Sequence, residues 1–310
     1  MCSSDAHEPM AADAAVTPVE SRPSVLSDYW EMTKPSITLL VLVTTAGAMV
    51  WAAGGLPPLQ LTVATIVGMA CASGGGAVLN HVLDRDIDRL MERTRRRPVA
   101  TGRVSVAAAT AFGLGLNLIA AVVLLTFTNV LTAVLAIGGS AFYVVVYTML
   151  LKRRTPQNIV IGGAAGAIPP LAGWAAVTGE IGLAPLIMFL IIFLWTPPHF
   201  WALAILKKDE YARAGVPMLP SVATERETAV QILAYTVILA AVSLIPVATG
   251  LLGVLYAVVA IALGGRFILL AYRLLRTHTP LAARNTFLFS LLYLALLFAA
   301  MGADRAIAAI

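Results

Sequence analysis

The chain has 310 residues, 59% hydrophobic and only 12% charged, with a formal net charge of +5. A soluble domain carries about 25% charged residues, so one or two water-soluble globules are excluded in favour of a single polytopic membrane domain. The positive balance sits in loops beside apolar segments, which points to lipid headgroups and anionic substrates and to no nucleic-acid partner.

Residues 1–33 read as a disordered cytoplasmic tail. Six acids (Asp5, Glu8, Asp13, Glu20, Asp28, Glu31) stand against one base, Arg22, a composition unlike a signal or transit peptide. Residues 34–306 form the membrane domain. Nine apolar segments follow, near 36–54, 60–80, 105–126, 130–150, 157–178, 182–206, 229–249, 252–275 and 285–304. Each approaches the roughly 20 residues a spanning helix needs. They are apolar all round, so the expected class is all-α, a nine-helix transmembrane bundle.

The loops alternate in charge. Arg85, Arg89, Arg93, Arg95, Arg96, Arg97 and Arg103 follow the second segment. Lys152, Arg153 and Arg154 follow the fourth, Lys207, Lys208, Arg213 and Arg226 the sixth, and Arg273, Arg276 and Arg284 the eighth. The loops after segments one, three, five and seven hold no Lys or Arg. The positive-inside rule then places the N-terminus and the basic loops in the cytoplasm. With no cleavable presequence, a bacterial inner membrane is the expected location. Pro169-Pro170 and Pro197-Pro198 lie inside spans, where a broken backbone ladder is tolerated beside protein or a cavity. They are read as cavity-lining kinks, with plain packing kinks as the alternative. Cys71 falls in an apolar run and reads as a small buried residue.

Chemistry concentrates at the end of the second span. Asn80, Asp84 and Asp88 recur every four residues, so on a helix their side-chain oxygens stack along one stripe. Oxygen-only ligands of this kind suit Mg²⁺, which takes one or two carboxylates and completes its shell with water and substrate phosphate. An ordinary solvated helix end would carry fewer ligand types in register. Asp86 points off the stripe and is read as a partner for arginine. Arg93 and Arg97 are candidate diphosphate contacts, because Arg and Mg²⁺ act together on phosphoryl oxygens. Lys152 and Arg153 are candidates to close the site from the next basic loop. In the third, Asp209 and Glu210 could support a second metal, with Tyr211 beside them, or Lys207 and Lys208 could hold phosphate directly. His199 follows two prolines inside an apolar span, and ionisable residues there are functional candidates. An ion-coupled transporter is the competing class, but the acids cluster at one rim rather than at mid-depth.

Three blocks carry a resemblance. They are Asn80-His81-Val82-Leu83-Asp84-Arg85-Asp86-Ile87-Asp88 with Arg93 and Arg97; Asn158-Ile159-Val160-Ile161-Gly162-Gly163 through Pro169-Pro170 and Trp174; and Trp195-Thr196-Pro197-Pro198-His199-Phe200-Trp201 through Asp209, Tyr211 and Pro217-Met218-Leu219-Pro220. The chain resembles the UbiA-type intramembrane prenyltransferases, and most closely the branch that farnesylates heme. The resemblance implies a nine-helix bundle and Mg²⁺ on Asn80, Asp84 and Asp88. It implies farnesyl diphosphate and heme B as substrates, water addition, and heme O as product. It also implies possible association with heme A synthase. His199 and Trp201 become heme-binding candidates. The chain departs from the usual pattern in lacking a second Asp-x-x-x-Asp, where it has Lys207, Asp209, Glu210 and Tyr211. A prenyltransferase acting on a quinone or chlorophyll precursor is the alternative within the fold.

Overall fold

The computed structural model describes residues 24–308. Among these residues no strand occurs, and nine helices are long and apolar enough to cross a membrane. They are α1 (Pro35–Ala53), α2 (Leu59–Leu83), α3 (Val106–Phe127), α4 (Val130–Leu151), α5 (Asn158–Thr178), α6 (Leu183–Leu206), α7 (Glu225–Ala248), α8 (Val254–Thr277) and α9 (Pro280–Ile307). The chain is a multi-pass membrane protein with the segments that hydropathy predicts.

The ends differ where a helix runs on past its apolar stretch. α7 starts earlier because Thr224 caps it. The Thr224 hydroxyl accepts the Glu227 N–H at 3.1 Å, and the Glu227 carboxylate accepts the Thr224 N–H at 2.9 Å. Two otherwise orphaned donors are satisfied in this way. α9 begins at Pro280, which needs no amide partner in a first helical turn.

The expected disordered tail falls partly outside the described residues. Within them, Val25–Met32 forms a short helix whose N-cap Ser24 accepts from the Ser27 N–H at 3.2 Å. Its buried Asp28 receives Arg103 Nε at 3.0 Å. Tyr29 packs edge-on to Phe112 of α3, with centroids 4.9 Å apart. Asp28 and Glu31, two of the acids that marked this stretch as a tail, serve as ion-pair partners for Arg103 of the first basic loop.

α2, α5 and α6 are the inner helices, each more than half buried. α2 packs along α3, α5 lies against α1, α4 and α6, and α6 meets α7 and α9. Close approaches rest on glycine. A Cβ on Gly75 would lie 2.7 Å from the Gly113 carbonyl oxygen of α3, and one on Gly173 would overlap the Thr45 carbonyl of α1. Such backbone-to-backbone packing is how helices associate where lipid offers no hydrophobic contrast. Contact between α9 and α1 is sparse by comparison.

Candidate active site

The acidic stripe stays in register although the helix bends through it. α2 ends at Leu83, Asp84 has φ −92° and ψ 4°, and a short helix resumes over Arg85–Leu90. Backbone bonds still run from Asp84 N–H to Asn80 C=O (2.9 Å) and from Asp88 N–H to Asp84 C=O (2.8 Å). Asn80, Asp84 and Asp88 are consequently all buried.

Their partners come from four parts of the chain. Asn80 Nδ2 donates to Asp84 Oδ2 at 2.6 Å and to Thr148 Oγ1 at 3.1 Å. Lys34 Nζ donates to Asn80 Oδ1 at 2.7 Å and to the Tyr143 hydroxyl at 3.2 Å. Lys152 Nζ donates to Asp84 Oδ2. Arg97 grips both oxygens of Asp88, at 2.9 and 2.8 Å. Arg153 bonds both oxygens of Asp86 (2.7 and 2.6 Å) and the Leu83 carbonyl at 2.9 Å. The Arg153 hydrogen bonds pull the Asp86 carboxyl down to about 2, and Asp86 in turn raises Arg153. Burial draws the Lys34 ammonium well below its ordinary value, and the like charges of Arg97 and Lys152 act in the same sense.

The last turns of α4 make this convergence possible. Phe142–Leu151 is π-helical, closed by Lys152 N–H to the Tyr147 carbonyl. The wider i to i+5 winding is found mostly at functional sites. Here it sets Tyr143, Thr148 and Lys152 on one side, each bonded into the cluster.

Lys34, Tyr143 and Thr148 are the site residues that the sequence reading misses. A lysine just before an apolar span looks like membrane anchoring, and its partner Asn80 lies 46 positions away. No local pattern announces a hydroxyl inside a span as a ligand-positioning group.

Beneath the cluster lies a cavity of about 350 Å³. Lys34, Thr38, Thr44, Ser73, Ser140, Thr196 and the two tyrosines Tyr143 and Tyr147 give it polar groups, and most of the remaining lining is apolar or glycine. Tyr143 and Tyr147 stack below the acids with centroids 5.5 Å apart. Pro169, Trp195 and Phe200 also line it. Of the four span prolines, Pro169 therefore faces this cavity; Pro170, Pro197 and Pro198 are buried elsewhere in α5 and α6.

The third basic loop divides. Tyr211 is buried and approaches Arg93, which together with Lys152 opposes the rise that burial imposes on its phenol. Arg93 therefore stands beside Tyr211. Lys207 is occupied by Glu210 at 2.8 Å, Lys208 lies 3.9 Å from Glu225, and Asp209 is exposed. The structure therefore does not bring Lys208 and Asp209 to the acidic stripe. Both follow α6 at the rim, where Lys208 turns toward Glu225 of α7 and Asp209 is exposed.

The heme candidates also separate. Trp201 is fully buried, edge-on to Tyr235 of α7 at 5.6 Å, and is a packing residue. His199 stands between Trp195 (4.1 Å, nearly parallel) and Phe287 of α9 (4.9 Å). Its Nδ1 lies 2.7 Å from Ser290 Oγ. Ser290 donates its single hydroxyl proton to the Phe287 carbonyl, so Nδ1 is the donor to Ser290. The ring is then the tautomer whose lone pair lies on Nε2.

The donor set fits a small hard cation. Among the described residues no cage of three or more His, Cys, Asp or Glu side chains exists. Mg²⁺ needs none, since one or two carboxylates plus substrate phosphate suffice. Asp84 Oδ1 is buried without a hydrogen-bond partner, with the Arg153 guanidinium 4.0 Å away, and so is an acceptor a cation could use.

Comparison with known proteins bears on the fold and the family. A UbiA homolog from Archaeoglobus fulgidus, solved with GPP and Mg²⁺, superposes with a TM-score of 0.63 at 17% identity, covering 89% of this chain and 99% of that one. A digeranylgeranylglyceryl phosphate synthase structure gives a TM-score of 0.78 at 18% identity, covering 90% and 98%. At such identity the likeness concerns the fold. In sequence, the chain is 53% identical to protoheme IX farnesyltransferase 1 of Pseudomonas fluorescens, over 91% of this chain and 94% of that protein. It is 49% identical to the protoheme IX farnesyltransferase of Chloroflexus aurantiacus, over 96% of this chain but 51% of that longer protein. The UbiA prenyltransferase family matches residues 40–297, a stretch that holds the acidic stripe, the π-helical turn and all of the cavity lining except Lys34, Ile37 and Thr38. The chain belongs to the UbiA prenyltransferase family.

Proposed function

We propose that this protein transfers the farnesyl group of farnesyl diphosphate to a vinyl group of heme B, with addition of water, and so makes heme O. The observation that carries the reading is the buried Asn80–Asp84–Asp88 stripe, ringed by cations at the mouth of an apolar cavity. The relatives at about half identity are protoheme IX farnesyltransferases, which favours heme over a quinone or chlorophyll precursor. We place the site at the cytoplasmic rim of a bacterial inner membrane, where the basic loops lie. Association with heme A synthase, which would consume the product, belongs to the same proposal.

Asn80, Asp84 and Asp88 would hold Mg²⁺, which when bound supplies positive charge to the diphosphate oxygens. The chain's own cations act beside it. Lys34 and Lys152 already point at Asn80 and Asp84, and Arg97 and Arg93 stand at the same rim. They would bind the diphosphate and stabilise the charge that grows on it as the C1–O bond breaks. The farnesyl tail would lie in the cavity among α1, α2, α4, α5 and α6. The stacked faces of Tyr143 and Tyr147 would stabilise the allylic cation from below. An apolar lining keeps water from capturing that cation before the vinyl carbon reaches it. Trp195 and Phe200 offer flat surface for the porphyrin, and His199 presents Nε2 as the group that would meet the heme iron.

Three measurements test this. Membranes containing the protein, given farnesyl diphosphate and heme B, should yield heme O by mass spectrometry. Product from 4-hydroxybenzoate and none from heme B would overturn the reading. Chelation with EDTA should remove activity, and Mg²⁺ should restore it; full activity in chelator would remove the metal assignment. Heme B titrated into purified protein should give a Soret band that moves in His199→Gly and returns with added imidazole. An unmoved band would exclude His199 as an iron ligand.

A further inference from the structure

Arg266 takes no part in the site described above. It lies in the middle of α8, whose limits are Val254–Thr277. At 1.5 Å per residue both helix ends are about 17 Å away, and the hydrocarbon core is about 30 Å thick. The side chain is exposed on the outer surface of the bundle. Its guanidinium lies 5.3 Å from the ring centroid of Phe289 on α9. Phe289 stands about 13 Å along α9 from Pro280, so the charge is held deep and does not reach up to the headgroups.

A cation at that depth is costly when it faces lipid, and such residues pair with an acid or turn inward to protein. Among the described residues no carboxylate engages Arg266. A second copy of the chain would bring none to this depth. Its described acids stand in loops and at span ends, with Asp304 the deepest into α9 and occupied in capping α8 through Gly253 N–H at 2.6 Å. The surface beside the arginine is shaped for close approach. Ala262 and Gly265 are exposed, and a Cβ on Gly265 would meet nothing within 4 Å. Leu269 and Leu292 extend the face, 45% and 49% exposed. Small residues beside a polar group are what membrane helices use to associate.

We propose that the α8–α9 face around Arg266 docks a transmembrane helix of another membrane protein, one that carries a carboxylate at mid-depth. The inference does not depend on the catalytic reading. A direct probe is a synthetic poly-leucine spanning peptide with one central Glu, compared with its all-leucine counterpart. Fluorescence energy transfer to the labelled full-length protein in phosphatidylcholine vesicles reads association. The Glu peptide should bind at least tenfold more tightly than the all-leucine peptide, and Arg266→Leu should erase that difference. Farnesyl transfer by the variant would report that it is folded, and Arg266→Lys should restore most of the preference. Equal binding of the two peptides, or a preference that survives in Arg266→Leu, would overturn the proposal. Energy transfer between two labelled populations of the protein itself, lost in Arg266→Leu, would also overturn it by assigning the face to a second copy.

Discussion

Asp84→Asn is expected to lower kcat for farnesyl transfer by about a thousandfold, as when one preorganised charge-stabilising group is removed from an active site. The side chain keeps its volume and can still pair with Asn80 Nδ2, which now holds Asp84 Oδ2 at 2.6 Å. The fold should therefore survive. What is lost is the negative charge that holds Lys152 in place and offers Oδ1 to a cation. Asp86→Asn is the matched control. Asp86 is 62% exposed and pairs with Arg153 at the rim, and an exposed ion pair is worth at most about 1 kcal/mol, or roughly fivefold. Single-turnover rates on detergent-purified protein separate the two. Equal losses in both variants would mean that the buried stripe is not the centre of the chemistry.

Gly173→Val should give the largest loss of stability. The Cβ it introduces would fall on the Thr45 carbonyl of α1, and Thr45 itself is fully buried. Overpacking a well-filled interior costs roughly 1–3 kcal/mol when side chains can shift, and a backbone carbonyl has less freedom to move than a side chain. α1 would be pushed from α5, and α1 carries the cavity-lining residues that follow Lys34. Fluorescence-detected size exclusion of heated detergent extracts should show a lower melting point and little monodisperse protein. Gly115→Ala on α3, whose Cβ would meet nothing within 4 Å, should behave like the parent. A Gly173→Val protein as stable as the parent would contradict the packing of α1 on α5.

The shared face of Asn80, Asp84 and Asp88 was legible because it needs only local geometry. Four-residue spacing fixes which side chains share a helix face whatever the rest of the chain does, and Asp84 kept that register through a bend that no pattern foretold. The partners of the basic residues are not set by local geometry. Lys152 and Lys208 look alike in sequence, each beside another base after an even-numbered span. Only the packing of α4 against α2 brings the first to Asp84, while the second turns to Glu225. The surroundings of Trp201, buried edge-on to Tyr235 of α7, were hidden for a similar reason. Its periodicity shows that it is apolar and helical, not which neighbouring helix covers it.

By itself, the sequence determined the nine spans, their alternating loops and the line of ligand-type oxygens, because hydropathy and helical periodicity are properties of neighbouring residues. Tertiary structure alone decided that Lys34, Tyr143 and Thr148 join that line and that Asp209 does not. Those pairings depend on how separate helices turn toward one another, and a charge or hydroxyl carries no mark in the chain of the partner it will meet across the bundle.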